Sequence, residues 1–271
     1  MIVRPVNASD WQQFVALAHV ESWRVPQYEL QLFQGPWSRF ARVADDQGFC
    51  GLVTAVAYQR SAWLGNLIVP PQKRGRGYGV ALFRDALAEL VAQGVGSVWL
   101  TASVQGQPIY QKVGFIEVGR IERWVRPVSA VLTEMLGQES CQPDELFRED
   151  RMVWGEDRQP LLSVLVGHGR VFSDESETAL LQLWPDLQVI GPWYAKSTNV
   201  QQSSQLLESM VAASNPAAEL VLDVIAARGL GDALLGAGFK LAGETTLMAY
   251  GEASGIDLGS IVSLASLGSI G

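Results

Sequence analysis

The chain has 271 residues, of which 48% are hydrophobic and 18% charged, with a formal net charge of −8. At roughly 100–200 residues per domain this length predicts one large or two small domains, the low charge content excludes a disordered chain, and the acidity excludes nucleic acid as an expected partner. No apolar run reaches the ~18 residues of a bilayer-spanning helix. The opening MIVRPVNASDW lacks the apolar core of a signal peptide, so the expectation is a soluble, cytoplasmic protein with no membrane partner. Cys50 and Cys141 form no disulfide framework, and with His19 and His168 far apart no metal-ligand spacing exists, so no metal is expected.

The charge is unevenly shared. Residues 1–128 carry 13 Lys/Arg and 9 Asp/Glu, a net +4, whereas residues 129–271 carry 7 and 19, a net −12. A basic first half suits a polyanionic ligand. The acidic second half suits a cationic acceptor or is an ordinary solvated surface.

In chain order, Ile2–Val6 reads as a short strand, and Asn7, Ser9 or Asp10 can cap the helix that follows at about Trp11–Glu21. Pro26 opens a second helical piece over Gln27–Phe33. Ser38–Ala44 and Phe49–Gln59 read as strands joined by an Asp45-Asp46-Gln47-Gly48 hairpin turn. Trp63–Val69 is an apolar strand stopped by Pro70 and Pro71, which cannot donate to a sheet ladder. About Gly77–Ala92 is an amphipathic helix, with Val80, Phe83, Leu87 and Leu90 at helical spacing.

Between that strand and helix lie Gln72, Lys73, Arg74, Gly75, Arg76, Gly77, Tyr78 and Gly79. Glycines let main-chain N–H groups approach a ligand. The first N–H groups of a helix lack internal partners and carry the positive end of its dipole, so the turn suits a phosphate or pyrophosphate, and three neighbouring cations strengthen that reading. The dinucleotide fingerprint fails because Val80 stands where its third glycine belongs, and the P-loop fails because no G-K-[ST] follows. What remains is Q-x-x-G-x-G on Gln72, Gly75 and Gly77. It resembles the acyl-CoA pyrophosphate motif of the GNAT superfamily of N-acyltransferases.

Further along, Ser97–Thr101 reads as a strand, Gln105–Val113 as a short helix, and Gly114-Phe115 opens a strand to about Val125. A second resemblance to the GNAT superfamily sits here: Tyr110 shortly before the Gly114-Phe115 pair. The resemblance covers residues 1 to about 126. It implies an α/β (α+β mixed-sheet) fold and acetyl-CoA or another acyl-CoA as co-substrate.

Residues 127–150 read as a connector, helical over Pro127–Leu136 and a loop over Gly137–Asp144, with Asp150–Leu162 leading into a second half. Residues 151–251 faintly echo the first half: a strand at Leu187–Ala195, a helix at Gln202–Ser214, a strand at Glu219–Ile225, a short helix at Gly229–Gly236, and a strand that opens on Gly238-Phe239. Lys196–Gln201 replaces the basic Gly-rich turn, and no Tyr matches Tyr110. The second half therefore resembles a smaller, degenerate GNAT-like domain that does not bind acyl-CoA at the usual place. The tail, residues 252–271, carries no charge after Asp257 and is expected to pack as a strand or helix against either half, or at a homodimer interface.

The resemblance assigns the pyrophosphate to the main-chain amides of Arg74–Gly79, assisted by Gln72 and Arg74. It assigns polarisation of the thioester carbonyl to N–H groups of Leu67, Ile68 and Val69 on a strand that splays from its neighbour, and protonation of the thiolate to Tyr110. A primary amine of a small molecule or peptide is the implied acceptor. No base is singled out: His19, Glu21 and Glu29 lie in the region that lines the acceptor side, and each is equally read as a surface or core group. Asn66, a polar residue in an apolar run, and Trp63 are further acceptor-side candidates. The competing readings are a non-catalytic acyl-CoA-binding or sensing module and, for the second half, a dimerisation or docking domain.

Overall fold

The computed structural model describes residues 1–35, 37, 40–129, 142–185 and 187–271. Most of the expected helix over Pro127–Leu136, much of the Gly137–Asp144 loop, and Cys141 lie outside them; the described start of that helix, residues 127–129, is not helical. The strands are β1 (Ile2–Pro5), β2 (Arg42–Asp45), β3 (Phe49–Ala57), β4 (Ser61–Ile68), β5 (Ser97–Ala102), β6 (Ile116–Arg126), β7 (Gly169–Ser173), β8 (Glu177–Leu183), β9 (Leu187–Ala195), β10 (Glu219–Ile225), β11 (Lys240–Gly251) and β12 (Ile261–Ser263). The helices are α1 (Ala8–Val20), α2 (Gln27–Gln34), α3 (Tyr78–Ala92), α4 (Gln107–Gln111), α5 (Pro143–Trp154), α6 (Gln159–Val166), α7 (Val200–Ala213) and α8 (Gly231–Gly236).

Local chemistry sets most of these boundaries. Asn7 caps α1, its side chain accepting from the Ser9 and Asp10 amides while Asp10 accepts from the Asn7 amide, a reciprocal capping box. Gly155, in the left-handed region, ends α5. Alternate residues of β4 and β5 face opposite sides, with Ala62, Leu64, Val98 and Leu100 packing against α3 and α4, and Trp63 and Trp99 packing on the other face.

The twelve strands of the described residues form one sheet in the order β1-β2-β3-β4-β5-β11-β6-β10-β12-β9-β8-β7. The halves are joined by an exchange. β11, from the second half, lies between β5 and β6 of the first, and β6 lies against β10 of the second. A continuous sheet thus crosses the expected division between residues 1–126 and 151–251. Helices α3 and α4 cover one face in the first half and α7 and α8 in the second. The opposite face carries α1, α2, α5, α6 and the tail in one shared core.

Several segments differ from expectation. Asp150–Leu162, which leads into the second half, is shared between two helices, α5 and α6, parted from Gly155 to Arg158. Strands β7 and β8 form an antiparallel pair that the sequence reading left unassigned. The tail folds back as β12 and a buried turn against both halves, with Ile270 in the shared core. Among the described residues no helix is long and apolar enough to cross a membrane.

Candidate active site

β4 and β5 run parallel and pair over only three positions, Ser61–Ser97, Ala62–Val98 and Trp63–Trp99. Beyond Trp63 and Trp99 they part. β5 goes on pairing with β11 as far as Ala102–Thr246, while β4 follows β3 through an irregularity between Leu52–Ile68 and Thr54–Gly65. Asn66 stands in that irregularity with φ +53°, a bulge that re-aims the strand. Its amide side chain donates to Thr54 Oγ1 at 3.2 Å.

A cavity of about 200 Å³ occupies the gap. Leu64–Leu67 of β4 and Leu100, Thr101 and Ser103 form its two sides, Phe83 and Tyr110 line it from the α3/α4 face, and Trp23, Arg24, Arg123, Thr245, Leu267 and Gly268 line it from the other. Tyr110 is buried against Phe83 and Phe115, with ring centroids 4.9 and 6.1 Å away. Its hydroxyl has no hydrogen-bond partner among the described residues, and burial pushes the phenol up to about 12.

Past Ile68 the chain makes a single 3-10 turn, Pro71–Lys73, and enters α3 through Gly75 (φ +75°) and Gly77 (φ +86°). A side chain at either would lie in the left-handed region, and the space where its Cβ would stand is open. No side chain caps α3, and the amides of Gly75, Arg76, Gly77 and Tyr78 make no hydrogen bond among the described residues. These unpartnered donors, at the positive end of a 15-residue helix, form a cradle for an anion. The residues present therefore fit the pyrophosphate of a nucleotide coenzyme.

The cationic contribution to this cradle is smaller than the sequence suggested. Lys73 turns away, donating to the Phe49 carbonyl at 3.0 Å and contacting Cys50 Sγ at 3.3 Å. Arg74 donates to the Val69 carbonyl at 3.0 Å and pairs with Glu21 at 2.7 Å. Arg76 is exposed and makes no ion pair among the described residues. Tyr78 packs in the core and donates to Asp46 at 2.8 Å, so its amide rather than its ring faces the turn. Gln72 is exposed on the 3-10 turn and Gly79 lies in the first turn of α3, under Val69.

The acceptor-side candidates separate. Asn66 and Leu67 line the cavity; Ile68 is core. Glu21 does not line it, because it is engaged by Arg74. Trp63 is corrected from a lining residue to a core one: it is 1% exposed, and its indole donates to the Gly268 carbonyl at 3.0 Å, which holds the tail in place. His19 sits in the last turn of α1, and Glu29 lies on α2. His19 does not line the cavity.

Sequence reasoning missed the far wall. Arg123 of β6 forms a two-pronged pair with buried Asp223 of β10 at 2.7 and 2.6 Å, and donates to the Leu267 carbonyl at 2.8 Å. Arg24 pairs with Glu219 of β10 at 2.5 and 2.9 Å. The exchanged strands thus bring the second half to the first half's cavity. Only the uncharged tail hinted at such an approach. Among the described residues no cluster of His, Cys, Asp or Glu could hold a metal ion.

With that geometry in place, comparison with known proteins identifies the domain that holds it. The acetyltransferase (GNAT) domain family matches residues 33–126, which span β2 to β6 and include the cradle and Tyr110. The first half carries a GNAT acetyltransferase domain. Solved structures resemble the GNAT domain and its extension together. A proposed acetyltransferase of Pyrococcus horikoshii is 18% identical with a TM-score of 0.77, covering 98% of this chain and 94% of that one. A GCN5-related N-acetyltransferase of Sphaerobacter thermophilus is 15% identical with a TM-score of 0.64, covering 96% and 98%. At these identities the likeness is one of fold, and it extends over both halves. No curated protein matches the chain.

Proposed function

We propose that the chain is an acyl-CoA-dependent N-acyltransferase, moving an acetyl group from acetyl-CoA to a primary amine of a small molecule or peptide by direct attack in a ternary complex. The observation that carries this is the Tyr110 hydroxyl, unpartnered among the described residues, in a cavity at the β4/β5 gap, with the anion cradle in the turn that follows β4 and opens α3. The amides of Gly75–Tyr78 hold the pyrophosphate, and main-chain groups of Leu67–Val69 direct the thioester into the gap, with Leu67 lining it.

In the reaction the amine nitrogen bonds to the carbonyl carbon, the carbon–sulfur bond breaks, and the sulfur leaves as thiolate. Tyr110, held in its protonated form by burial, donates a hydrogen bond to that sulfur and stabilises the developing charge. A free thiol has a pKa near ~8.5, so net protonation of the thiolate finishes through water. The amine's own proton also leaves to water, because no Asp, Glu or His lines the cavity among the described residues.

That same feature supports a second reading, an acyl-CoA-binding module without turnover. The two are separated by measuring thiol release from acetyl-CoA against a panel of amines beside calorimetric CoA binding. On the transferase reading, Tyr110→Phe lowers amine-dependent release by about 10²-fold or more with unchanged CoA affinity. CoA binding without release on any amine favours the second reading.

A further inference from the structure

The second half contains the counterpart of the β4/β5 gap. β9 and β10 also run parallel and also pair over three positions, Leu187–Glu219, Gln188–Leu220 and Val189–Val221, before they part. The gap beyond them is filled. β12 enters it and pairs antiparallel with both edges, Ile261 with Tyr194, Ser263 with Trp193, and Ser263 with Val224. The Leu264 amide donates to the Asp223 carbonyl at 3.0 Å, and Ser263 Oγ donates to the Ile190 carbonyl at 3.0 Å. Gly65 and Gly191 stand two residues past the last pairing in their respective gaps, and a Cβ on Gly191 would overlap the Leu264 carbonyl oxygen.

The cradle's counterpart is closed as well. Asn199 caps α7 with its own side chain, accepting from the Gln201 amide at 3.1 Å. Buried Arg228 donates to the Ser197 carbonyl at 2.6 Å and the Gly259 carbonyl at 2.7 Å, tying the loop before α7 to the loop before β12. Six residues past β12's start the same segment reaches the other cavity. Leu267 and Gly268 line it, and a Cβ on Gly268 would stand 2.6 Å from Thr101 Oγ1.

We infer that β12 is a built-in occupant of the second gap, taking there the place that the coenzyme's extended arm takes between β4 and β5, and that its continuation, Leu267–Gly268, sets the size limit on the acceptor in the first. The chain then has one coenzyme site, and the second half serves to anchor the acceptor wall. This rests on the β4/β5 gap being the coenzyme site.

Calorimetry with CoA on the full chain, joined to amide hydrogen exchange, tests the occupancy. One equivalent is expected, with new protection at residues 64–79 and 101–110 and slow exchange at residues 261–265 with or without CoA. Two equivalents, or faster exchange at 261–265 on adding CoA, overturns it. For the wall, Leu267→Ala is expected to raise kcat/KM for bulky amines relative to small ones by about tenfold, and Leu267→Trp to do the reverse, at unchanged CoA affinity. An unchanged ranking overturns the wall. Release of no thiol with any amine overturns both the transferase reading and the role of Leu267, and leaves exchange at 261–265 to decide the occupancy.

Discussion

Ile121 of β6 lies directly across from Thr245 of β11, and each stands the same number of residues past its own Gly-Phe pair, Gly114-Phe115 and Gly238-Phe239. The pairs on either side, Arg120–Thr246 and Glu122–Glu244, exchange places under a half-turn about that point. The axis of an internal two-fold therefore passes between Ile121 and Thr245. Thr245 lines the candidate-site cavity and Ile121 packs in the shared core. Ligand sites favour such junctions.

The exchange predicts that the first half cannot stand alone. Without residues 127–271, β5 and β6 both lose β11, and β6 also loses β10, leaving long unpaired edges. A fragment of residues 1–126 is expected to aggregate, and co-expression with residues 127–271 to restore a soluble complex that binds CoA. Gel filtration and calorimetry check both outcomes; a monomeric, CoA-binding 1–126 fragment would refute the prediction.

Gly77→Glu places a carboxylate at the mouth of the cradle. The space there is open, so the substitution costs only the left-handed backbone, about 1–2 kcal/mol, and the protein still folds. Its side chain repels the pyrophosphate and blocks the α3 amides. CoA affinity is expected to fall by about 100-fold or more; unchanged affinity in a folded variant would place the coenzyme elsewhere.

Arg158 is fully buried beneath Trp154, its guanidinium 3.6 Å from the ring centroid, and pairs with Asp150, which also accepts from Tyr194. Asp150→Ala strands the cation in the core. Urea unfolding is expected to show a loss of about 3–5 kcal/mol, with Asp150→Leu joined to Arg158→Met recovering part of it. A loss below about 1 kcal/mol would mean that solvent reaches the pair.

Alkaline pH should expose three buried phenols. Burial raises Tyr110 to about 12 and also raises Tyr58 and Tyr194 above their ordinary value of 10. The folded state keeps these protons where the unfolded chain releases them. Their contribution to stability is therefore fully present below pH 10 and is lost as pH rises towards the folded values, by up to about 1.4 kcal/mol per pH unit for each. Phenolate absorbance followed with unfolding checks this; ionisation of all six tyrosines in the folded protein near pH 10 would contradict it.

The cradle was legible because its signals are local. Pro70 and Pro71 end a strand, Gly75 and Gly77 take positive φ, and the apolar face of α3 follows at once. β10 was legible over its full length, Glu219–Ile225, because five apolar residues, Leu220, Val221, Leu222, Val224 and Ile225, crowd around Asp223. The exchange was not legible. The apolar pattern of a strand shows which side faces the core but not which strand lies beside it, so β6 and β11 read alike whichever half they join. Lys73 illustrates the same limit for charge: its position in sequence suggested the cradle, yet the Phe49 carbonyl and Cys50 hold it on β3. The tail's lack of charge announced burial without naming the place.

The insertion of β11 between β5 and β6 also fixes an order of events during synthesis. Residues 1–126 leave the ribosome long before residues 240–268, which supply the missing strand and the far wall of the pocket. An interrupted translation product therefore has the cradle without a finished cavity at the β4/β5 gap. Contacts so distant along the chain also close slowly, so maturation waits on residues 240–268 to arrive.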